Sequence, residues 1–279
     1  MKKIFVILLV AVVLFFGIKH WQNERLLKQA EEARDKATVR LTFIEGWTLR
    51  DYADYLKQQG VITNNQEFFD AVGEPAVDYR HDRLPVALDF LAPFSFLQDK
   101  PEYATLEGYL FPDTYFFVKG TAIENLVKKM LNNFEGKLTA EMRAEIKKQN
   151  KTIFEIVTVA SLTEAEAQTT EDRALVADII YRRLASGMPL QLDSTVNYVT
   201  GEKNPAISLT QQKIDSPYNT YKYKNLPLGP ISNPSLDSLQ AAIYPQKNNY
   251  WFFLTGTDGR MHYAKNLAGH QANMVKYLK

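Results

Sequence analysis

The sequence predicts an α+β protein, in which short strands and amphipathic helices occupy separate stretches of the chain. Three observations support this class. Residues 39–43 alternate apolar and polar side chains, as a strand does. Residues 123–185 carry apolar side chains at helical spacing. Residues 250–264 are typical of two strands joined by a turn at 257–260.

The N-terminus predicts a membrane anchor. Lys2 and Lys3 precede an apolar run over residues 4–18, and Trp21 and a charged segment follow it. The run is somewhat short for a spanning helix, which needs about 20 apolar residues. Flanking Lys and Trp side chains can compensate by reaching the interface. An uncleaved anchor over residues 1–21 is the preferred interpretation, and a cleaved signal peptide or a buried helix are the alternatives. Residues 22–38 predict a helical stalk.

The elements after the stalk follow in order. Thr48 is a candidate N-cap for a helix that Gly60 ends, and Thr63 and Asn64 precede a shorter helix through residue 72. Residues 189–234 are predicted to be mainly loops. Further helices are predicted at 123–134, 141–148, 153–167, 173–185, 236–242 and 267–278.

Composition excludes several classes of function. The 279 residues carry a net charge of +1, which gives no electrostatic footprint for nucleic acid. Cysteine is absent, so disulfides and thiolate chemistry are excluded. The histidines show no ligand pair at helical spacing, and neither HExxH, GxSxG nor a P-loop is present, so no metal or other cofactor is expected. His270 is more typical of a structural histidine than of a cleft residue.

The predicted helix at 153–167 carries the strongest candidate for catalysis. Glu164 continues its apolar stripe, whereas Glu166 points about 200° away around the helix. A carboxyl group at the end of such a stripe is shielded from water, which favours its protonated form and suits it to donate a proton. The alternatives remain that both side chains are solvated at a helix end, or that Glu166 is the functional one. Arg173 could pair with a carboxylate in the site or cover a surface.

Three polar loops rich in tyrosine and asparagine are candidate binding segments, because this mixture suits sugar hydroxyls and apolar sugar faces. They cover residues 191–198, 216–221 and 226–234. Ordinary surface loops are the alternative, and Asp193 could be a helix cap. The candidate binding residues are Asp193, Thr195, Asn197, Tyr218, Asn219 and Asn233, with Glu107 from the segment at 106–115.

Together these motifs resemble the endolytic murein transglycosylases of the MltG (YceG-like) type, from about Val39 to the C-terminus. The matching segments are EGWTL at 45–49, LEGYLFPDTY at 106–115, ASLTEAE at 160–166, DSTV at 193–196, SPYNTY at 216–221 and LPLGPISNP at 226–234. The family more often has Val-Glu-Lys-Glu where this chain has Thr163 to Glu166, and Asp-Pro-Thr where it has Asp193 to Thr195.

The resemblance implies a LysM-like β-α-α subdomain at 39–75 and a larger mixed α+β catalytic domain at 76–279. It implies one catalytic glutamate, which maps best onto Glu164. The implied reaction cleaves peptidoglycan between MurNAc and GlcNAc without water, leaves 1,6-anhydroMurNAc ends and stops strand elongation. The implied location is the outer side of the bacterial cytoplasmic membrane, near cell-wall synthases. The alternatives are a hydrolase that pairs Glu164 with Asp193 or Asp113, and a non-enzymatic peptidoglycan-binding scaffold.

Overall fold

The structure is a computed structural model that describes residues 2–81, 91–204 and 206–278, and the side chains of residues 2–16 and 34–36 lie outside this description. Its elements are α1 (Lys2–Ala37), β1 (Thr38–Thr42), α2 (Leu49–Gln58), α3 (Gln66–Val72), β2 (Thr114–Val118), α4 (Glu124–Lys137), α5 (Ala140–Lys148), α6 (Ile153–Glu166), α7 (Thr170–Ala185), α8 (Asp193–Thr200), α9 (Leu236–Ile243), β3 (Phe252–Thr255), β4 (Met261–Ala264) and α10 (Leu267–Tyr277). Mixed helices and strands confirm the α+β class.

The described chain forms two compact units. The smaller contains α1, most of β1 and Phe116–Thr121. The larger contains Thr42–Tyr115 and the chain from Ala122 onward, so α2 and α3 belong to the same unit as α4 to α10. The predicted order of strand, helix and helix at 39–72 is confirmed. Its LysM-like character and the boundary near residue 75 stay predictions.

Helix α1 runs without interruption through the predicted stalk. Among the described residues, no helix contains a stretch both long and apolar enough to cross a membrane. The anchor prediction depends mainly on residues 4–16, whose side chains lie outside the description.

Each two-stranded sheet pairs strands that flank helical segments. One sheet joins β1 to β2, and the other joins β3 to β4. The second is antiparallel, with Phe252 opposite Ala264 and Thr255 opposite Met261. The predicted C-terminal hairpin is therefore confirmed, although its first strand begins two residues later than expected. Helix α10 packs against both of its strands.

Helix α6 forms the centre of the larger unit. Thr152 and Glu155 form a capping box at its start, so two N-terminal N–H groups are satisfied. Every residue from Ile156 to Thr163 is buried, as the apolar sequence predicts. Helices α5, α7, α8 and α9 pack around it. The two ends of α6 reach the surface of this core, and the C-terminal end carries Glu164.

One prediction of the sequence analysis is wrong. Residues 193–200, assigned to a loop, form helix α8, which ends at Gly201 with φ +74°. Its sequence is rich in β-branched residues and has no side-chain cap hydrogen bond. Local propensity is therefore weak. Tertiary contacts supply the stability instead, because Val196 and Thr195 are fully buried.

Gly108 lets the segment at 106–110 lie directly against α6. Its φ is +86°, and a Cβ there would lie 2.6 Å from Val157 Cγ1 and 2.6 Å from Pro230 Cβ. Gly108→Ala is therefore expected to lower the free energy of unfolding by about 2–4 kcal/mol, measured by urea denaturation.

Gly136→Ala is the matched control for this substitution. Gly136 lies within α4, and a Cβ there would meet nothing within 4 Å. Its stability should stay unchanged or rise by up to about 1 kcal/mol, since alanine favours helix. Equal stability of the two variants would contradict the close approach at Gly108.

Candidate active site

Glu164 is held at the end of α6 by two residues. Arg173 Nη2 donates to its Oε1 at 2.7 Å, and the side chains are 11% and 6% exposed for Arg173 and Glu164 respectively. Ser235 donates to Oε2 through its backbone N at 2.9 Å and through its Oγ at 2.5 Å. Both carboxylate oxygens therefore have fixed positions. The apolar stripe leads to this site as expected, but the carboxylate itself meets an arginine and a serine.

Ser235 is positioned by its place in the helix that follows. It is the N-cap of α9, where its Oγ accepts from Ser238 N at 3.2 Å. A hydroxyl can donate to a carboxylate and can also accept from a carboxylic acid by rotating its proton. Ser235 is consequently compatible with both protonation states of Glu164, which a residue acting as acid and then as base requires.

The turn at Gly46 closes over Glu164. Its φ is +76°, and a Cβ at this position would lie 3.5 Å from Glu164 Cγ. Two backbone hydrogen bonds hold the turn, from Gly46 N to Asn233 O and from Asn233 N to Trp47 O, each 2.9 Å long. Residues from the start of the larger unit thus meet the end of α6 and the 226–234 loop at one place.

Two further carboxylates surround the Glu164–Arg173 pair. Asp237 Oδ2 lies 3.9 Å from Arg173 Nη1 and accepts from Thr170 Oγ1 at 2.7 Å. Glu45 is exposed, and its pKa is raised by partial burial and by the negative charges of Glu164 and Asp237, against the opposing effect of Arg173. The site therefore concentrates negative charge around one guanidinium.

Glu166 faces a different set of residues, as the helical geometry predicts. Its Oε1 accepts from Ser194 Oγ at 2.6 Å. Burial is the main cause that raises the pKa of Glu166, and the charge of Asp193 raises it further. Glu164 and Glu166 share no hydrogen-bonding partner among the residues that the structure describes.

Two cavities flank the backbone at Ala165. The larger, about 430 Å³, is bounded by α2, α8 and the Gly201–Asn204 segment, and we call it the α2–α8 cavity. Gly46, Ala165 and Ser232 border it on the side of Glu164. The smaller, about 170 Å³, lies between residues 164–172 and the β3–β4 hairpin. An extended polymer could therefore occupy both sides of Glu164.

Glu107 is a buried carboxyl group with several hydrogen-bonding partners, and 1% of its area is exposed. Its carboxyl oxygens accept from Leu49 N at 3.1 Å, from Tyr198 Oη at 3.1 Å and from Asn233 Nδ2 at 3.0 Å. Burial raises the pKa of Glu107 to about 8, although the hydrogen bonds from Leu49 and Tyr198 oppose the shift. Glu107 thus connects α2, α8 and the 226–234 loop rather than facing solvent.

Three other predicted binding residues are fully buried and satisfied by the protein. Thr195 donates to Leu192 O at 2.7 Å and lies 3.0 Å from Thr220 Oγ1. Asn219 Nδ2 donates to the carbonyls of Gln212 and Ile214. Asn233 Oδ1 accepts from Gly108 N and Leu110 N at 3.0 and 3.1 Å. In this structure they stabilise the backbone of the candidate binding segments.

The remaining predicted binding residues lie around α8. Asp193 accepts from Tyr221 Oη at 2.5 Å. Asn197 lines the α2–α8 cavity, and its Nδ2 donates to Asn204 O at 2.7 Å. Tyr218 is 3% exposed, and its ring centroid lies 5.0 Å from that of Tyr198. Of the seven predicted binding residues, Asn197 is therefore the one that lines the α2–α8 cavity.

Asp113, the other carboxylate considered for hydrolysis, and two histidines of the C-terminal region have partners elsewhere. Asp113 accepts from Thr114 N and Asn133 Nδ2. His262 hydrogen-bonds Asp258 and stacks on Tyr277, and His270 stacks on Phe252. Burial lowers the pKa of His270. Within the described residues, no group of three or more His, Asp or Glu side chains could hold a metal ion.

Sequence reasoning missed several residues of the site. Ser235 was not singled out, although a serine directly before the helix at 236 is a recognisable N-cap. Asp237 carries no pattern that separates it from a surface acid, and Glu45 was not singled out although it begins the matching segment at 45–49. Arg173 was ambiguous, and the structure resolves it as the ion-pair partner of Glu164.

Comparison with known proteins gives a consistent result. A model described as the YceG-like family matches residues 18–276. The chain is 34% identical over 276 residues to the endolytic murein transglycosylase of Streptococcus pneumoniae, covering 93% of this chain and 49% of that protein. It is 38% identical over 174 residues to the protein of the same name in Bacillus subtilis, covering 62% of this chain and 48% of the relative.

A solved structure is also similar. The crystal structure of a YceG-like protein from Listeria monocytogenes matches with a TM-score of 0.70 and 30% sequence identity. The match covers 89% of this chain and 80% of that chain. The chain spans about half the length of the curated relatives that it matches.

Proposed function

The chain belongs to the YceG-like family, and from this membership we propose that it cleaves peptidoglycan glycan strands as an endolytic lytic transglycosylase. The observation that carries the proposal is the placement of Glu164. It ends a buried helix, is fixed by Arg173 and Ser235, and lies between two cavities. The curated relatives named endolytic murein transglycosylase support the same reaction class.

Glu164 acts first as the acid. Its proton passes to the glycosidic oxygen between MurNAc and GlcNAc, the C1–O bond breaks, and the positive charge develops on the muramyl ring. Ser235 Oγ, at hydrogen-bond distance from Oε2, stabilises the carboxylate that this step leaves. Arg173 stabilises the same negative charge through Oε1.

Glu164 then acts as the base. Its carboxylate accepts the proton of the muramyl C6 hydroxyl, whose oxygen forms a bond to C1 and gives the 1,6-anhydro end. Glu164 is protonated again, so the cycle balances. The nucleophile is tethered within the substrate, and this proximity replaces an activated water. One carboxylate therefore serves both steps.

The second candidate function is hydrolysis. Its second carboxylate would be Glu45 rather than Asp193 or Asp113, which the sequence suggested. Among the described residues, neither Asp193 nor Asp113 shares a hydrogen-bonding partner with Glu164, whereas the negative charge of Glu164 helps to raise the pKa of Glu45. Glu45 could activate a water in a two-carboxylate mechanism. The two functions differ in the chemistry of the product ends.

Product analysis in isotopically labelled water decides between them. The full chain is incubated with purified glycan strands, and the new ends are identified by mass spectrometry. We expect 1,6-anhydroMurNAc ends that contain no solvent oxygen. Labelled reducing-end MurNAc would establish hydrolysis instead. Strands that stay intact with freshly folded protein would favour the binding scaffold.

We further propose that residues 1–21 anchor the chain in the cytoplasmic membrane with the larger unit outside, next to cell-wall synthases, where cleavage of nascent strands ends their elongation. Lys2, Lys3 and the apolar run at 4–18 support the anchor. Alkaline extraction of membranes should leave the full chain in the pellet and release a chain that lacks residues 1–21. Release of both would contradict the anchor.

A further inference from the structure

The α2–α8 cavity contains a cation that the reaction described above does not use. At about 430 Å³ the cavity lies within the usual size range of small-ligand sites, roughly 300–1,000 Å³. Arg50, the second residue of α2, lines it together with Asn197, Tyr198 and Gly201. The cavity begins at Gly46 and Ala165, directly beside Glu164.

The guanidinium of Arg50 is held in place but keeps unused donors. Its Nη1 donates to Tyr198 O at 2.6 Å, and its Nη2 donates to Pro75 O at 3.4 Å. Its Cζ lies 5.6 Å from the centroid of the Tyr198 ring. A guanidinium carries five N–H donors in a planar fork, so donors remain for a ligand. Among the described residues, Arg50 forms no salt bridge with a carboxylate.

The acidic residues of the same wall are already occupied. Asp51 accepts from Lys203 Nζ at 2.7 Å and from Thr48 N at 2.9 Å. Asp54 accepts from Asn65 Nδ2 at 2.8 Å, and Glu202 accepts from Gln211 Nε2 at 2.8 Å. Glu107 interacts with Arg50 through charge, but burial raises its pKa to about 8 and leaves it mainly neutral at pH 7. Asp54 and Glu202 keep their charge, since their partners are neutral amides, but neither forms an ion pair with Arg50 among the described residues.

A second polar group of the cavity, the side-chain amide of Asn197, has one atom without a hydrogen bond within the described part of the chain. Asn197 Oδ1 is buried and accepts no hydrogen bond among the described residues. A buried acceptor without a donor costs free energy, which a ligand N–H or O–H would recover. The cavity thus offers a carboxylate-binding fork next to an amide acceptor, beside the residue that cleaves the glycan.

We propose that Arg50 binds a carboxylate of the stem peptide carried by muramic acid, so that the α2–α8 cavity selects peptide-bearing glycan over glycan with neutral substituents. The inference rests on the proposed function, because it concerns the same substrate. An arginine fork suits a carboxylate through two parallel hydrogen bonds. The peptide is attached close to the scissile bond, as the position of the cavity next to Glu164 requires.

Binding is measured in the full chain carrying Glu164→Gln, so that turnover does not alter the ligand. One ligand is a glycan oligomer with free stem-peptide carboxylates, and the other is the same oligomer after amidation of those groups. The protein should bind the first about tenfold more tightly, since a charge-assisted hydrogen bond is lost in the second. Arg50→Gln should abolish this difference, and Lys57→Gln, which removes an exposed cation of the same helix that does not line the cavity, should keep it.

A second pair of variants leaves the contacts of Arg50 intact. A Cβ at Gly201 would lie 3.9 Å from Cζ, Nε and Nη1 of Arg50, and φ there is +74°. Asn and Asp tolerate this conformation better than most residues. Gly201→Asp should remove the preference by supplying an internal carboxylate, and Gly201→Asn, of the same shape, should keep it. The proposal is overturned if the preference for the carboxylate ligand survives in Gly201→Asp or in Arg50→Gln. It is also overturned if the protein without these substitutions shows no such preference.

Cleavage of the amidated oligomer by the protein with Glu164 intact separates this inference from the proposed function. Cleavage without any carboxylate preference in binding means that the carboxylate site is wrong and the reaction stands. A carboxylate preference that depends on Arg50, without cleavage of either ligand, means that the cavity binds peptide-bearing glycan and the proposed reaction is wrong.

Discussion

Replacing Glu164 by glutamine is expected to lower kcat for strand cleavage by at least about 1,000-fold, because general acid–base catalysis contributes on the order of 10²–10⁴ and the proposed mechanism uses Glu164 in both steps. Glutamine has the same shape and keeps an acceptor for Arg173 or Ser235, so the fold should persist. The measurement is the initial rate of release of soluble fragments from purified glycan strands. Circular dichroism verifies that the variant is folded.

Glu166→Gln is the matched control from the same helix. Burial raises the pKa of Glu166, and its Oε1 accepts from Ser194. Glutamine has the same shape and keeps an acceptor oxygen for Ser194 Oγ, so kcat should fall by less than about fivefold, which corresponds to roughly 1 kcal/mol. The reverse ranking, with Glu164→Gln active and Glu166→Gln inactive, would transfer the catalytic role to Glu166.

Glu107→Ala is expected to have the largest effect on stability, lowering the free energy of unfolding by about 3–5 kcal/mol. The change leaves Leu49 N, Tyr198 Oη and Asn233 Nδ2 without their buried acceptor. Denaturant unfolding followed by fluorescence gives the value. Glu107→Gln keeps one acceptor oxygen and should lose about 1–2 kcal/mol at pH 5.

The same pair of proteins has a predicted pH dependence. The folded state raises the pKa of Glu107 from 4.5 to about 8, so it binds one more proton than the unfolded state between these values. The stability of the native protein relative to Glu107→Gln should therefore fall as pH rises from 5 to 8, by at most about 1.4 kcal/mol per pH unit. A difference that grows with pH would show that Glu107 is buried as a carboxylate.

Much of the fold follows from local patterns that tertiary contacts only reinforce. The apolar run that predicts α6 ends within one residue of the observed helix. The capping pattern at Thr48 correctly marks the start of α2. Helix α8 was missed because its stability depends on contacts that are distant in the sequence. Thr195 contacts Thr220, and Tyr198 donates to Glu107.

The candidate site was predictable in part. The direction of Glu164 away from Glu166 follows from helical geometry alone, and their separate partners agree with it. The motif residues Asn219 and Asn233 carry no sequence signal that distinguishes contact with a ligand from bracing of a loop. Burial distinguishes the two, because both side chains are fully enclosed and bonded to backbone groups.

The hydrogen bonds that close the turn at Gly46 and hold Glu164 also have a consequence for biosynthesis. Ser235 follows Glu164 by 71 positions, and Asn233 follows Trp47 by 186. Synthesis proceeds from the N-terminus, so the ribosome releases α6 well before the loop that orients its carboxylate. A nascent chain that ends before residue 233 contains Glu164 but lacks Ser235 and the hydrogen bonds of Asn233 that hold the turn at Gly46. A chain released within this interval therefore contains α6 without the hydrogen bonds from Ser235 that orient Glu164.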